Sequence, residues 1–505
     1  MNAIPDNADD VAHAAPLVTI VDRVVARGDG ARPAIWTDDG QVSYLRLLRL
    51  IRIAAWRLWT LGLRQEDRIV VELDDSVEFV AAFLGAVRIG AVPVPVNPWA
   101  DLADYAVEHS GALVRVTDRV DGVGPCQIVT GEGLIAPPPG DLDIGLPPIR
   151  IDGEDAAFWL YSSGSTGRPK AVVHLHRDIA GSCDGYAGRV LGVRSGDVFF
   201  STAKLFHAYG LGGGLLFPLW HGASVAYLRG KPGPEGITRT IARHRPTVLF
   251  SVPALYHAML RHRSGAERFQ SLRLCVSAAE PLTAPVWERW RDAFGLEILD
   301  GIGSTEMLHI YCSNRPGDVV AGSAGRPVPG YELDLRPHPG TPEPGAGELW
   351  VRGPSTFDSY WRNQDATREA FQGSWFRTGD CFRVVDGRYW YLGRLDDLMK
   401  IGGLWVSAHV IESALMAHPL VAEVAVVAVR AAAMSRIKAF VVPARSVPET
   451  ESSALIAELR RWCADRLRAD QVPHYVELVD SLPKTPGGKV RRFALREREE
   501  PSAVG

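Results

Sequence analysis

The stretch from residue 69 to residue 97 admits few folds. Residues 69–73 form an apolar, β-branched run that reads as a strand. Residues 76–88 carry apolar side chains at helical spacing and stop at Gly90, and residues 91–96 read as a strand again. Strand, helix, strand is a parallel α/β unit. The same alternation returns around residues 248–252, 272–277 and 298–300, whereas the Gly- and Pro-rich segments 136–148 and 338–347 read as surface loops. From about residue 397 the pattern changes. A helix over 410–416 precedes a strand over 421–429, and a later amphipathic helix aligns Leu455, Leu459, Trp462 and Leu467 on one stripe. The expected class is therefore α/β, with a large N-terminal domain of several subdomains holding mixed sheets and helices, and a smaller α+β C-terminal domain. No internal repeat or low-complexity tail is visible.

Composition narrows the function classes. The chain has 505 residues, 46% hydrophobic and 23% charged, with 55 basic against 59 acidic side chains and a formal net charge of −4. That is the composition of a folded globular protein of about three to four domain-sized units, without the basic excess of a nucleic-acid partner or an anionic-membrane binder. The six cysteines (Cys126, Cys183, Cys275, Cys312, Cys381 and Cys463) include no C-x-x-C pair, so reduced thiols are expected rather than a disulfide framework or a zinc site. The acidic N-terminus lacks a signal pattern, and the apolar stretch 79–96 is broken by Arg88 and Pro93. The expectation is a soluble, cytoplasmic protein with neither nucleic acid nor membrane as partner.

The sharpest local signal is the loop Tyr161-Ser-Ser-Gly-Ser-Thr-Gly-Arg-Pro-Lys170, which follows the strand-like run 157–161. Hydroxyls, free backbone N–H groups and one cation in a short loop are what a polyphosphate requires. The spacing is not that of a Walker A loop, because Gly167 is followed by Arg-Pro-Lys. It is not a hydrolase elbow either, because Ser163 rather than glycine stands two before Ser165.

This loop resembles the phosphate loop of the adenylate-forming superfamily of acyl-CoA synthetases, peptide-synthetase adenylation domains and luciferases. Four further motifs follow in that family's order. Gly301-Ile-Gly-Ser-Thr-Glu306 resembles its second nucleotide motif, and Ser374-Trp-Phe-Arg-Thr-Gly-Asp380 its ribose motif. The run from Gly393 to Gly403 resembles its hinge and second-step hairpin, and Leu482-Pro-Lys-Thr-Pro-Gly-Gly-Lys489 its catalytic-lysine loop. The runs Ala203-Lys-Leu-Phe-His-Ala-Tyr-Gly-Leu-Gly212, Asp300-Gly-Ile-Gly-Ser-Thr-Glu-Met-Leu-His309 and Ser313-Asn-Arg-Pro-Gly-Asp318 are most similar to the benzoate-CoA ligase branch.

The resemblance implies an acid–CoA ligase that takes an aryl or bulky cyclic carboxylic acid to its CoA thioester through acyl-AMP, using ATP, Mg²⁺ and coenzyme A. The first step brings two anions together, so the protein must supply positive charge and alignment. By resemblance, Lys489 approaches the carboxylate and the α-phosphate, Thr305 reaches the α-phosphate, and Glu306 holds Mg²⁺, a hard cation suited to carboxylate and phosphate oxygens. Ser162, Ser163, Gly164, Ser165, Thr166, Gly167 and Lys170 bind the phosphates. Ala279, Glu280 and Pro281 take the adenine side, Asp380 the ribose hydroxyls, and Asp300, Gly301 and Arg394 also bind the nucleotide. His207, Ala208, Tyr209, Ile302 and His309 line the acid pocket, where His207 stands at the gate and His309 meets a ring substituent. The domains would be 1–393 and 397–505, joined by a hinge at 394–396 with Asp396 as pivot. Rotation of a mobile C-terminal domain would then present Lys400 and Gly403 to CoA, glycine letting pantetheine pass close to the backbone.

Two positions depart from the family pattern. Ala171 and Ala279 stand where glycine is usual, and glycine often marks a close approach or a positive φ. Weakened adenylation is thus one alternative, leaving thioester formation on an acyl-adenylate supplied by a separate enzyme. A second is the loading of a carrier protein, and a third is an inactive adenylate-binding protein; a homodimer also stays open. Gly213 and Gly214 put two small residues beside the pocket helix, where they would admit an acid bulkier than benzoate.

Overall fold

The computed structural model describes residues 16–119, 126–138, 149–162, 168–262, 266–431, 434–483 and 490–499. The expected parallel unit is present. The strand Arg68–Glu72 pairs in parallel with Val92–Pro95 and with Val114–Thr117, and the helix Val77–Arg88 lies between the first two. Ser76 caps that helix, its hydroxyl accepting from the Phe79 N–H at 3.1 Å. Pro93 and Pro95 are accommodated because their strand is the edge of this four-stranded sheet.

A nine-stranded sheet carries the segments that matter for function. Its six central strands, Ile298–Gly303, Leu274–Ser277, Val248–Ser251, Val198–Ser201, Ser224–Ala226 and Pro33–Thr37, are parallel in that order. Antiparallel strands flank them at both ends. A core of fully buried rings, with Phe199, Phe217, Phe250 and Tyr186 among the largest, packs against it. Two antiparallel sheets complete this part of the chain. One joins Ala156–Ser162, Lys170–Leu175 and Ser359–Tyr360; the other contains Gly347–Arg352, Trp375–Val385 and Arg388–Arg394.

The C-terminal elements are a hairpin of Met399–Ile401 with Leu404–Val406, a three-stranded sheet, and helices that include Ala408–Met416 and Glu449–Ala464. Leu455 and Leu459 are buried as the stripe requires, and Trp462 donates its indole N–H to the Ala414 carbonyl at 2.8 Å. Leu467 lies past the end of that helix, which stops at Ala464. All six cysteines are free. Among the described residues no helix is long and apolar enough to cross a membrane.

Candidate functional site

Ser277 and Asp300 sit side by side at the carboxyl ends of two parallel strands, the edge at which open α/β sheets take ligands. Both are buried, and the Ser277 hydroxyl and the backbone N–H groups of Leu282 and Gly301 face the Asp300 carboxyl. Burial pushes the Asp300 carboxyl up to about 8, with the Ser277 hydroxyl and the Leu282 and Gly301 N–H groups opposing the rise; its protonated form offers a donor beside an acceptor. A purine edge, with an amine next to a ring nitrogen, would complement that pair, in keeping with Asp300 as a nucleotide residue. Gly301 continues the same strand. The chain leaves Ser277 through a turn in which Ala279 is exposed and holds φ +73°, with Glu280 and Pro281 following. Ala171 contrasts with it, being an ordinary residue of the strand Lys170–Leu175 paired to Tyr161.

The phosphate side is organised by a residue that sequence reasoning missed. Tyr360, from the short strand Ser359–Tyr360, lies opposite Val172. Its hydroxyl donates to Glu306 Oε1 at 2.9 Å, and the Lys170 ammonium lies 4.8 Å from its ring centroid. One tyrosine thus joins the cation of the glycine loop to the carboxylate assigned to magnesium. No motif or periodicity in the sequence singled it out. Thr305 and Glu306 share a short 3₁₀ turn, Thr305–Met307, which the Phe357 N–H secures by donating to the Glu306 carbonyl at 2.8 Å. A single half-buried carboxylate fits Mg²⁺ that takes its remaining ligands from phosphates and water. Among the described residues no cluster of three or more His, Cys, Asp or Glu side chains offers a metal cage. Ser162 ends its strand opposite Lys170. Ser163, Gly164, Ser165, Thr166 and Gly167 lie outside the described residues.

Asp380 belongs to the strand Trp375–Val385 and faces Arg394 across the pair with Arg388–Arg394. Arg394 Nη1 stands 3.4 Å from Asp380 Oδ1 and donates to the Thr378 carbonyl at 3.1 Å. Burial pushes the Asp380 carboxyl up to about 6, with Arg394 opposing the rise. Asp396 falls in the next short turn, Leu395–Asp397.

The segment to which the resemblance assigns the acid pocket runs over 208–220, where the helix Ala208–Leu211 widens into a π-helical stretch at Gly212–Leu216 and resumes at Phe217–Trp220. The glycines explain the widening. A methyl group on Gly212 would stand 2.8 Å from His309 Nε2, and one on Gly213 would stand 2.7 Å from the Phe250 ring. The room left by Gly213 and Gly214 is taken up by Phe250 and Leu205, so these two residues serve packing of the helix. His309 is buried in an aromatic box of Phe217, Tyr209, Tyr186 and Phe250, with ring centroids 4.6, 5.3, 5.5 and 5.9 Å away. Its Nε2 lies 3.2 Å from the Tyr209 carbonyl, while Nδ1 is buried without a partner among the described residues. Burial holds its pKa down to about 3, so the ring is neutral: Nε2 donates and Nδ1 is left as an acceptor. The Tyr209 hydroxyl donates to the Ser251 and Val276 carbonyls at 3.1 and 3.0 Å, which leaves the ring face, not the tip, for a ligand. Ala208 and Ile302 pack in the same apolar cluster. His207 precedes the helix Ala208–Leu211 in an exposed position, without a side-chain cap bond, its ring 4.6 Å from that of Phe206, so it is not a core histidine.

Lys400 is exposed on its hairpin, 5.7 Å from the Trp405 ring centroid. Gly403 holds φ +88°, a conformation that requires glycine whatever passes beside it. Lys489 lies outside the described residues.

Comparison with known proteins agrees with this geometry. Residues 22–361 match the AMP-binding enzyme family and residues 410–489 the AMP-binding enzyme C-terminal domain. The chain is 40% identical to the benzoate–CoA ligase of Thauera aromatica, over 94% of this chain and 94% of that protein. In structure it is similar to the anthranilate CoA ligase AuaEII in complex with anthranoyl-AMP, with TM-score 0.90, 34% identity, and coverage of 98% of this chain and 99% of that one. The benzoate CoA ligase of Burkholderia xenovorans LB400 superposes with TM-score 0.86 and 38% identity, covering 95% of this chain and 99% of that one. The chain belongs to the AMP-binding enzyme family, the adenylate-forming superfamily, beside its benzoate- and anthranilate-CoA ligase branch, and is an acid–thiol ligase that works through ATP, an acyl-adenylate and CoA.

Proposed function

We propose that the acid is an aromatic carboxylate of about benzoate size carrying a hydrogen-bond donor on its ring, a hydroxyl or an amine. The carrying observation is His309: a neutral, buried ring whose Nδ1 accepts but has no partner among the described residues. A buried acceptor left unpaired costs about 1–3 kcal/mol, and a donor on the substrate removes that cost. The anthranilate ligase that superposes on this chain is named for an amino-substituted acid of that size.

The reaction runs in two displacements at one site. The carboxylate attacks the α-phosphorus of ATP and pyrophosphate leaves; the CoA thiolate then attacks the acyl carbon and AMP leaves. Lys170 and Lys489 offset the negative charge that accumulates in the first step, and Thr305 orients the α-phosphate. Mg²⁺, held by Glu306, supplies charge neutralisation at the phosphates. Asp380 fixes the ribose and, with Asp300, aligns the nucleotide. Residues 1–393 form the large domain and 397–505 the small one, with the 394–396 segment and its Asp396 as hinge. Lys400 and Gly403 serve the thiol step, in which CoA is preferred over a carrier protein's phosphopantetheine arm.

The test is ATP–pyrophosphate exchange with benzoate and its 2-, 3- and 4-hydroxy and amino derivatives, first without CoA and then with it. Exchange in the absence of CoA, strongest with one donor-substituted acid, is the expected result. A faster reaction with alicyclic acids, or equal rates with benzoate and every derivative, would refute the role of His309. Lys489→Ala should abolish exchange while sparing CoA transfer onto a synthetic aroyl-adenylate; equal loss of both steps would remove Lys489 from the first.

A further inference from the structure

His174 lies in the strand Lys170–Leu175, fully buried, and none of the roles above uses it. Both of its ring nitrogens face oxygen. Nδ1 stands 3.1 Å from Asp178 Oδ2, and Nε2 stands 2.8 Å from the carbonyl oxygen of Thr305. A carbonyl only accepts, so the second bond requires hydrogen on Nε2, and the first requires one more hydrogen between Nδ1 and the carboxylate. Turning the ring over changes neither requirement, because both partners are acceptors. Asp178 is itself fixed: its Oδ2 accepts the Leu175 N–H at 2.9 Å, ahead of the helix His176–Ser182. Arg177 Nε stands 3.7 Å from Asp178 Oδ1, and the Phe158 ring, 5.4 Å away, closes one side of the imidazole.

The other end of this chain of bonds is the nucleotide site. The carbonyl that His174 holds belongs to Thr305, the first residue of the turn Thr305–Met307 that carries Glu306. The Leu308 N–H also donates to that carbonyl, at 3.0 Å. The turn is thereby tied from behind by His174 and from its flank by Tyr360 on Glu306 Oε1. Residues that orient a functional side chain from behind set its geometry as firmly as direct contacts do.

We propose that His174, oriented by Asp178, is a positioning residue for the adenylation step: it holds the Thr305 carbonyl and so sets the turn that presents Thr305 and Glu306 to Mg-ATP. This rests on the reading of Thr305 and Glu306 as the phosphate and magnesium residues. The bond acts mainly on the first half-reaction, because the thiol step needs no magnesium-bound triphosphate and keeps only the α-phosphate contact of Thr305.

The test compares His174→Phe, His174→Gln and Glu306→Gln in the full chain. His174→Phe keeps the ring volume and removes both bonds. It should raise KM for Mg-ATP by up to about tenfold, the upper end of what one hydrogen bond contributes. KM for the acid should stay within about twofold, the scatter expected where no interaction has changed, and the rate of CoA transfer onto a saturating aroyl-adenylate should fall by less than the use of Mg-ATP. His174→Gln, whose amide still donates, should recover part of the loss. In ¹⁵N-histidine-labelled protein, His174 should show a slowly exchanging Nε2 proton that is absent from His174→Gln. An unchanged KM for Mg-ATP in folded His174→Phe, equal rises in both KM values, or an Nε2 without hydrogen would each overturn the proposal. Should His174→Phe fail to fold, His174→Met, which also has no donor for the Thr305 carbonyl, must show the same Mg-ATP effect, and its absence would overturn the proposal equally. Glu306→Gln separates the two levels: if it leaves Mg-ATP use intact, the magnesium reading falls and this proposal with it. If it abolishes Mg-ATP use while His174→Phe does nothing, only the present proposal falls.

Discussion

Ala279 is a clean place to measure backbone strain in this protein. It holds φ +73° in the turn that leads from Ser277 to Pro281, and its side chain is exposed, so replacing it removes no packing. An L-residue in the left-handed region costs about 1–2 kcal/mol. Glycine escapes that cost but brings an unfolded chain with more freedom to lose, worth about 0.4–1 kcal/mol in the opposite direction. The difference leaves Ala279→Gly more stable by roughly 0.5–1 kcal/mol, while Ala279→Val, β-branched, should be less stable than the parent by about 1 kcal/mol or more. With a urea m-value of about 3 kcal/mol/M for a large domain, the glycine variant should shift the first unfolding midpoint up by ~0.2–0.3 M and valine should shift it down. The order glycine, alanine, valine is the result that matters. Equal midpoints for glycine and alanine, or a less stable glycine variant, would show that the turn is not strained as its φ indicates.

Three further outcomes follow from the geometry. Lys204 is buried with its ammonium 2.9 Å from Asp74 Oδ1, 3.5 Å from Asp75 Oδ2 and 2.5 Å from the Leu228 carbonyl. Lys204→Met strands two carboxylates and should cost about 3–5 kcal/mol in urea unfolding, since removing one partner of a buried pair leaves an uncompensated charge; a loss below 1 kcal/mol would deny the clamp. Gly212→Ala places its methyl 2.8 Å from His309 Nε2 and should destabilise by about 1–3 kcal/mol through overpacking, raising KM for the acid more than KM for ATP. Asp380, pushed up to about 6, is a carboxylate above that pH and a carboxylic acid below it, so it loses an acceptor for the ribose hydroxyls as pH falls. The kcat/KM for ATP should accordingly drop with a slope approaching one below pH 6, and Asp380→Asn should be low and flat across the same range. A wild-type profile flat down to pH 5 would contradict the assignment.

Much of the architecture was legible because it is local. The alternation over 69–97 specifies a strand, a helix and a strand without reference to the rest of the chain, and the parallel unit appears where expected, the strand Arg68–Glu72 pairing with Val92–Pro95. Position in the motifs picked out Asp300, Asp380 and Arg394 as nucleotide residues, whereas the strand pairing alone set Asp300 beside Ser277 and Asp380 opposite Arg394. Sequence alone could not separate the two alanines that replace glycine. Ala171 lies in an ordinary paired strand and Ala279 in a left-handed turn, and φ is fixed by how the chain must bend between packed elements.

Side-chain partnerships were decided by the tertiary structure, because their members are remote in the chain. The Tyr209 hydroxyl is consumed by carbonyls of Ser251 and Val276, and the space beside Gly213 and Gly214 is filled by Phe250 and Leu205. Glu306 finds Tyr360, and His174 reaches Thr305 across 131 positions of sequence. No periodicity or spacing encodes such a pair. The sequence by itself determined the order of the motifs, hence the family and its chemistry, since phosphate loops and acidic anchors are specified by residue type at short range. Which buried nitrogen is left as a free acceptor, and which tyrosine joins the cation to the carboxylate, depend on the register of strands that meet only when the core closes.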